Sequence, residues 1–390
     1  MSGNALRNRA ALVGFGHTRY YRRGEYSEAE GGETTTAMVA EAVMNACADA
    51  GISPAQIDGY TSYSNDPVDP GLLASMFGAE RLRFTGMGWG GGGGAMGGAF
   101  MYAAMAVAMG QADYVAVVRG VVQPSARRFG ATGRPPRSPY PAVVTPAQSF
   151  ALAAQRHMHL YGTTIDHFGE VAVSTRLNAV TNPDARYRTP ITMEDHHESR
   201  LICDPLRLLD FCMEAEGGCC VIVTSAERAR DLKQTPVYVA GLAMGAPRRY
   251  GMGVFGGLNM SDEDFASAGQ RTVGEDLYAN AGLGPSDVDV ALIYDHFTPM
   301  VLMGLEDFQF VKKGESGPFV AEGNIRRNGS LPVNTHGGNL SEVYLHGMTH
   351  VFEGMRQLRG SAPNQIADAE VALVVAGSSP APTSALLLTK

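Results

Sequence analysis

Cysteine is scarce in this chain and does not form a regular framework. The 390 residues contain five cysteines, at positions 47, 203, 212, 219 and 220, and no Cys-x-x-Cys spacing occurs. An odd number without regular spacing argues against a disulfide scaffold and against the common zinc motifs. We therefore expect small, buried, reduced thiols in a cytoplasmic protein, and we expect them to pack rather than to catalyse.

Long apolar runs and an excess of positive charge are also missing. No apolar run reaches the length that spans a bilayer, and the first residues lack the apolar segment of a signal peptide. The formal net charge of −8 argues against a nucleic-acid surface. Histidine spacing typical of a metal site is absent, and residues 195–198 (Asp-His-His-Glu) are expected to form a solvated loop or the start of a helix.

Glycine and methionine are abundant, with 48 and 19 residues respectively. Glycine allows tight turns and close approach of the backbone, whereas methionine fills irregular apolar pockets. The length is sufficient for one large two-lobed domain or for two ordinary domains with a sizeable core.

Two sequence echoes indicate an internal repeat. Residues 49–58 and 280–289 both read x-Ala-Gly-(Ile/Leu)-x-Pro-x-x-(Ile/Val)-Asp, and the apolar runs at 111–120 and 368–377 also match. The echoes keep the same order, which predicts two related α/β halves with helices packed on mixed sheets. We place the first half at residues 1–235, with an inserted loop region at about 121–218, and the second half at 236–390.

Local patterns predict the main elements. They indicate strands at 10–14 and 219–224, and helices at 35–50, 99–110, 146–161, 166–180 and 348–358. The segment at 99–110 is apolar on all sides, which is typical of a buried helix. An arginine- and proline-rich stretch at 127–137 is interpreted as a solvated loop, with a phosphate-bearing ligand or a partner surface as the alternative.

Two glycine-rich segments are candidates for a site. Residues 86–98 contain neither a phosphate-loop motif nor a dinucleotide fingerprint, so we interpret them as a turn whose backbone N–H groups face a ligand. Residues 333–347 contain a Gly-Gly pair followed by Tyr344 and His346, placed to point into a cleft. The alternative for this second segment is a surface loop with one packed aromatic residue.

With two repeated halves, a glycine-rich turn before a buried helix, and Gly-Gly-x₅-Tyr in the second half, the chain resembles the thiolase superfamily. It looks closest to the branch related to sterol-carrier-protein thiolases, and further similar segments lie at 155–158, 178–179, 182–183 and 204–210. The resemblance implies an α/β fold with two related halves in an α-β-α-β-α layer arrangement.

The resemblance also shows that the catalytic thiols of the superfamily are missing. The position of the nucleophilic cysteine, before the central helix, falls at or near Gly93. The second family cysteine, after the last core strand, falls on the stretch that contains Gly377 and Ser378. A covalent acyl transfer through a thiolate is therefore not expected at this site.

Tyrosines occupy two other family positions. Tyr344 replaces the histidine of the family, and Tyr294 replaces the asparagine of a motif that continues here with Asp295 and His296. A phenol has a pKa of about 10, so it is a ready acid and a base only when its environment is tuned. We assign Tyr344 and Tyr294 as the base and the acid, favouring Tyr344 as the base. Asp295, His296 and His346 are supporting candidates for substrate binding.

This pattern is similar to the thiolase-like aldolases that shorten steroid side chains. The resemblance implies retro-aldol cleavage of a 17-hydroxy steroid with a three-carbon CoA-thioester side chain, giving a 17-ketosteroid and propionyl-CoA. Backbone N–H groups near Gly93, Gly377 and Ser378 would stabilise the enolate. No cofactor and no metal are implied, since CoA is part of the substrate.

The resemblance further implies a homodimeric core and a small OB-fold acyl-CoA-binding partner, often joined to a hydratase. Three alternatives stay open at this point. The chain could be a non-catalytic carrier of acyl-CoA or sterol, a scaffold for a partner enzyme, or an acyl-CoA acyltransferase. The two tyrosines favour the aldolase, because a carrier has no need of two phenols at the chemical positions.

Overall fold

The computed structural model describes residues 5–27, 35–63, 66–90, 92–123, 145–251, 260–377 and 382–390. Two predicted features lie outside the described residues. They are the arginine- and proline-rich stretch at 127–137 and the candidate Ser378.

The strands alternate with helices along the chain. The strands are β1 (Ala10–His17), β2 (Tyr21–Arg22), β3 (Gly59–Tyr63), β4 (Phe84–Gly88), β5 (Tyr114–Val121), β6 (Leu201–Cys203), β7 (Leu206–Arg207), β8 (Ala215–Ser225), β9 (Val237–Gly245), β10 (Val290–Leu292), β11 (Val371–Ala376) and β12 (Thr383–Thr389). The helices are α1 (Thr35–Ala50), α2 (Pro70–Met76), α3 (Met96–Ala108), α4 (Pro146–Tyr161), α5 (Ile165–Val180), α6 (Met193–Glu198), α7 (Ala226–Ala229), α8 (Asp262–Phe265), α9 (Arg271–Ala281), α10 (Thr298–Asp307), α11 (Ser316–Ala321) and α12 (Met348–Arg359). Among the described residues, none of these helices is both long enough and apolar enough to cross a bilayer.

Each half contributes one block of strands to a continuous mixed sheet. The order is β4-β3-β5-β8-β1 in the first block and β9-β12-β11-β10 in the second. β3 is parallel to β4 and β5, and β10 is parallel to β11, whereas β1 runs antiparallel to β8. The blocks meet where Ala11 pairs with Tyr238 and Leu12 with Val237.

Three apolar cores define the layers. Helices α3 and α12 share one core with strands of both blocks, which places them between the two halves. Helix α1 packs on the outer face of the first block, and helices α9 and α10 pack on the outer face of the second. The predicted α/β class and the predicted α-β-α-β-α layer order are confirmed. The division at residue 235 stays a prediction.

The predicted repeat is visible as repeated local structure. Helices α1 and α9 both end at a glycine in the left-handed region, with φ of +77° at Gly51 and +65° at Gly282. Each glycine is followed by a short 3₁₀ turn that begins at a proline, Pro54 or Pro285. The second pair of echoes forms β5 and β11, each preceded by a helix of the middle layer.

Several predicted element boundaries are wrong, and among them β1 continues to His17 and α3 spans Met96–Ala108. The glycine-rich run does not begin as a turn, because residues 86–88 complete β4, which pairs in parallel with β3. Strand β8 begins at Ala215 rather than at Cys219. Backbone pairing with neighbouring strands stabilises these strand extensions, and single-sequence patterns do not contain that information.

The segment at 195–198 is helical, as one of its two predicted alternatives states, but its full solvation and the uniform burial of the thiols need correction. His196 is fully buried in α6, and its Nε2 lies 2.8 Å from Asp210 Oδ1. Cys203 and Cys212 are partly exposed, whereas the other three cysteines are buried. Helix α6 packs against α5, and this tertiary contact buries one face of a segment that looks hydrophilic in the sequence.

Candidate active site

Tyr294 and Tyr344 meet between the two halves. Tyr294 follows β10, and Tyr344 lies in the segment before α12. Their hydroxyl oxygens are 3.1 Å apart, and their ring centroids are separated by 6.2 Å at an interplanar angle of 62°. Both side chains are buried, with relative exposures of 2% and 6%. The structure therefore brings the two predicted tyrosines into direct hydrogen-bonding contact.

Burial controls the ionisation of this pair. It raises the pKa of Tyr294 well above the ordinary value, and the neighbouring Tyr344 raises it further. Burial also raises the pKa of Tyr344, whereas the hydrogen bond from Tyr294 and the charge of Arg119 act in the opposite direction. Both groups are neutral phenols near pH 7, and of the two Tyr344 is better placed to carry negative charge.

Glycines make room for the Tyr294 ring. A Cβ at Gly93 would lie 2.5 Å from Tyr294 Cζ and from its hydroxyl oxygen. At Gly347, where φ is +88°, a Cβ would lie 3.3 Å from a carbon of the same ring. The backbone of Gly377 abuts Gly94, next to Gly93, so the two predicted glycines of the oxyanion site come together. A phenol thus fills the space at the head of α3 that a side chain at residue 93 would need.

Asp295 supports the loop that carries Tyr344. Its carboxylate oxygens accept hydrogen bonds from the backbone N–H groups of Asn339 (2.7 Å) and Leu340 (3.3 Å). These two residues belong to a π-helix, Gly338–Glu342, that precedes Tyr344. The imidazole Nε2 of His350 lies 3.2 Å from the same carboxylate. π-helical turns are frequent at functional sites, and here one sets the path into the Tyr344 segment.

His296 lies beside the tyrosine pair. Its ring centroid is 5.0 Å from that of Tyr294, and it packs edge-on against Phe150 at 4.5 Å. Burial lowers the pKa of His296 to about 3, although a backbone hydrogen bond near Tyr294 partly opposes this shift. The imidazole is therefore neutral at physiological pH, which suits hydrogen bonding rather than charge stabilisation.

His346 also lies in the site. It contacts a charged pair, Arg119 and Asp66, that the sequence does not single out. Its ring packs edge-on to Tyr344 at 5.0 Å, and its Nδ1 accepts a hydrogen bond of 3.1 Å from Arg119 Nε. Arg119 is paired with Asp66 at 3.1 Å. An arginine inside the apolar run of β5 is the signal that could have revealed this group. In the described part of the chain, no group of three or more His, Cys, Asp or Glu residues is placed to hold a metal ion.

Sequence comparisons find two full-length relatives. The chain is 43% identical to 17-hydroxy-3-oxo-4-pregnene-20-carboxyl-CoA lyase of Mycobacterium tuberculosis, and the alignment covers 98% of this chain and all of the relative. It is 40% identical to the steroid side-chain-cleaving aldolase of Thermomonospora curvata, over 99% of both chains. A family model described as "Thiolase C-terminal domain-like" matches residues 257–388.

Structure comparisons agree with these relatives. The solved Ltp2-ChsH2(DUF35) aldolase superposes with a TM-score of 0.88 at 39% identity, covering 99% of this chain and 98% of that chain. Human mitochondrial 3-ketoacyl-CoA thiolase superposes with a TM-score of 0.70 at 13% identity, covering 99% of each chain. At that identity the second likeness shows the thiolase-like fold alone.

Proposed function

The chain belongs to the thiolase-like steroid side-chain-cleaving aldolases, and we propose that it cleaves a β-hydroxy acyl-CoA thioester by a retro-aldol reaction. The observation that carries this proposal is the 3.1 Å contact between the hydroxyls of Tyr294 and Tyr344. The ring of Tyr294 lies beside Gly93, and the family resemblance places the nucleophilic cysteine of a thiolase at or near that position. The substrate we propose is a 17-hydroxy steroid with a three-carbon CoA-thioester side chain, as the name of the mycobacterial relative suggests.

The reaction moves one proton within the substrate. The bond between the carbinol carbon and the α-carbon breaks, the carbinol becomes a ketone, and the α-carbon gains a hydrogen. For the proposed substrate the products are a 17-ketosteroid and propionyl-CoA. The step is redox-neutral, and the thioester carbonyl accepts the electrons of the broken bond. We therefore propose that no cofactor takes part other than the CoA carried by the substrate.

The tyrosine pair can move this proton without ionising. Tyr344 accepts the hydroxyl proton while Tyr294 donates its own proton to the α-carbon, and a proton passes between the phenols across their 3.1 Å contact. Phenol hydrogens rotate, so either hydroxyl can donate along this contact. This relay suits groups whose pKa is raised by burial, because neither has to become a phenolate in the resting enzyme. Backbone N–H groups at Gly93 and Gly377 complete the proposal by stabilising the negative charge that develops on the thioester oxygen as the proton is transferred.

The relay predicts how the rate depends on pH. We expect the maximal cleavage rate to stay flat between about pH 6 and pH 9, because both phenols are neutral throughout this range. A resting phenolate base would instead give a rate that rises roughly tenfold per pH unit up to its pKa. The measurement is propionyl-CoA release by mass spectrometry from β-hydroxy acyl-CoA thioesters.

Absence of cleavage despite tight thioester binding would favour the carrier alternative, whereas acyl exchange with free CoA would favour an acyltransferase.

We also propose that the chain works with a DUF35-type partner, since the similar aldolase of known structure carries this component in its name. The finer proposal, from the family resemblance, is a small OB-fold protein that binds the acyl-CoA and is fused to or associated with a hydratase. Co-purification followed by cleavage assays with and without the partner tests whether the chain needs it.

The free thiols at all five cysteines support a reducing, cytoplasmic setting.

We propose a homodimer formed through the edge of the first block. β4 is the last strand of the sheet order, and apolar side chains stand exposed near it, with relative exposures of 83% for Trp89 and 45% for Met87. A groove of about 420 Å³, lined in part by Met87, Tyr102 and Met105, continues this patch. An unpaired strand edge beside exposed apolar residues is a template for pairing with a second copy.

The dimer proposal predicts a selective effect of charge on α3. Met105→Glu is expected to weaken self-association by about tenfold or more, because the carboxylate would be buried without a partner. Met44→Glu is the matched control, since Met44 is exposed on α1 and far from this edge in the fold. Analytical ultracentrifugation across a dilution series measures both variants. Equal dissociation constants for the two variants, or a monomeric parent protein, would contradict the proposal.

A further inference from the structure

A buried arginine connects the first half of the chain to the loop that carries Tyr344. Arg119 lies on β5 and has a relative exposure of only 7%. Its Nη1 donates to the backbone carbonyl of Tyr63 at 3.0 Å and to Asp66 Oδ2 at 3.1 Å. Its Nε donates to Nδ1 of His346, which belongs to the second half, at 3.1 Å. The guanidinium therefore joins one carboxylate, one strand end and one imidazole.

The counter-ion is held as firmly as the arginine. Asp66 is 5% exposed, and its carboxylate also accepts the backbone N–H groups of Gly120 (3.0 Å) and Val68 (3.1 Å). Burying a carboxylate is costly unless it is paired with a cation and accepts further hydrogen bonds. The Asp66 carboxylate meets both conditions. Here the carboxylate fixes the guanidinium, and the guanidinium is then free to direct its Nε–H at the imidazole.

The hydrogen bond from Arg119 determines the tautomer of His346. Because Nε of arginine can only donate, Nδ1 of the imidazole must be the unprotonated nitrogen, and the ring hydrogen lies on Nε2. The backbone of His346 is held as well, with φ at +55° and its carbonyl accepting the hydroxyl of Tyr63 at 3.0 Å. A non-glycine residue at positive φ is uncommon and persists when its surroundings fix it.

We propose that Arg119 is a positioning residue, which holds His346 as a neutral Nε2–H imidazole against the ring of Tyr344 and thereby orients the phenol for proton transfer. The proposal rests on the function given above. Its geometric basis is the pair of contacts from the imidazole, 3.1 Å to Arg119 and an edge-on 5.0 Å to the Tyr344 ring. Only Leu345 separates Tyr344 from His346, so a shift of the imidazole displaces the phenol.

The charged and titratable groups around His346 give this role a pH signature. They are Arg119 on β5, Tyr63 at the end of β3, Asp66 after it, Cys219 on β8 opposite Arg119, and Tyr344 on the same loop. Burial and the Arg119 charge both lower the pKa of His346 well below its usual value, so the ring stays neutral in the wild type. Burial, the larger cause, still lowers this pKa without the arginine charge, but the ring is then easier to protonate than in the wild type.

The test uses the charge-balanced double variant Arg119→Met with Asp66→Asn, since Arg119→Met alone leaves a buried carboxylate. We expect kcat to fall by about tenfold to a hundredfold with little change in KM, because the phenol is misplaced by about an ångström. We also expect kcat/KM to gain an acid limb that the wild type lacks. In a His346→Gln background, the double change at Arg119 and Asp66 should lower kcat little below that of His346→Gln alone, because the effect of Arg119 on the phenol passes through the imidazole.

Two results would overturn the proposal. One is a folded double variant whose pH profile keeps the wild-type shape, and the other is an equal loss in the His346→Gln background. Nitrogen NMR of ¹⁵N-histidine-labelled protein separates this proposal from the function itself. The His346 resonances, assigned by their loss in His346→Gln, should report an unprotonated, hydrogen-bonded Nδ1 in the wild type and the loss of that hydrogen bond in the double variant. The NMR measurement does not depend on thioester cleavage. A protonated Nδ1 in the wild type would contradict the proposal.

Discussion

Replacing Tyr344 with phenylalanine is expected to lower the rate of thioester cleavage by about 10³-fold, which is within the usual range for loss of a general acid or base. Phenylalanine keeps the ring and its packing, so the thioester should still bind within a small factor of the wild-type affinity. The measurements are propionyl-CoA release by mass spectrometry and thioester binding by calorimetry. Full cleavage by Tyr344→Phe would remove the central assignment of this site.

The companion variants show whether the two phenols act as one unit. Tyr294→Phe should lower the cleavage rate about as much as Tyr344→Phe. The double variant should be little slower than either single variant, because loss of one phenol already interrupts the proton transfer. Tyr278→Phe is the matched control. Tyr278 is also a buried tyrosine, and its hydroxyl donates to the carbonyl of Phe308 at 2.9 Å in the outer core of the second half. Its loss should affect stability and leave the turnover of folded enzyme near the wild-type value.

The second large effect is expected at Gly93. A Cβ there would lie 2.5 Å from Cζ and from the hydroxyl oxygen of Tyr294, far inside contact distance. Gly93→Ala must therefore displace the ring, and a misplacement of about 1 Å can cost about 10²-fold in rate. The ring has little room to yield, because Tyr294 is only 2% exposed and its hydroxyl contacts that of Tyr344 at 3.1 Å. Overpacking of this kind also destabilises the fold by about 1–3 kcal/mol.

A control and a rescue make this prediction specific. Gly245→Ala is the control, since the nearest atom to its added Cβ would be 3.8 Å away. In a Tyr294→Asn background, where the obstructing ring is gone, Gly93→Ala should no longer lower the melting temperature, while cleavage stays absent. Gly93→Cys should likewise fail to restore thiolase chemistry while Tyr294 is present, because the phenol occupies the space of the thiol. Normal kinetics in a folded Gly93→Ala variant would show that the phenol does not need its observed position.

The sequence was sufficient to predict the repeat and to single out the two tyrosines. The two echoes at 49–58 and 280–289 predict related turns, because a left-handed glycine and a proline-led turn are local requirements of the backbone. Tyr294 and Tyr344 were identified by family positions, and the structure brings their hydroxyls together although 50 residues separate them. Their roles as acid and base stay predictions until they are measured.

The charged support of the site could not be assembled from the sequence. Arg119, Asp66 and His346 come from β5, from the segment after β3 and from the loop before α12. Each of them has an ordinary alternative when viewed alone, and only their mutual distances of about 3 Å distinguish a network from separate residues. The same holds for Asp295, whose carboxylate binds the backbone of a π-helix more than forty residues away in the chain.

By itself, then, the sequence determined the α/β class, the internal repeat, the absence of a thiol at residue 93 and the presence of two phenols at family positions. These follow from local backbone preferences, apolar periodicity and residue identity, which act over short stretches of chain. The tertiary structure alone decided that the phenols touch, that glycines hold the ring and that Arg119 reaches His346. Those facts depend on how the two halves pack across α3 and α12, and packing between distant segments sets both burial and pKa.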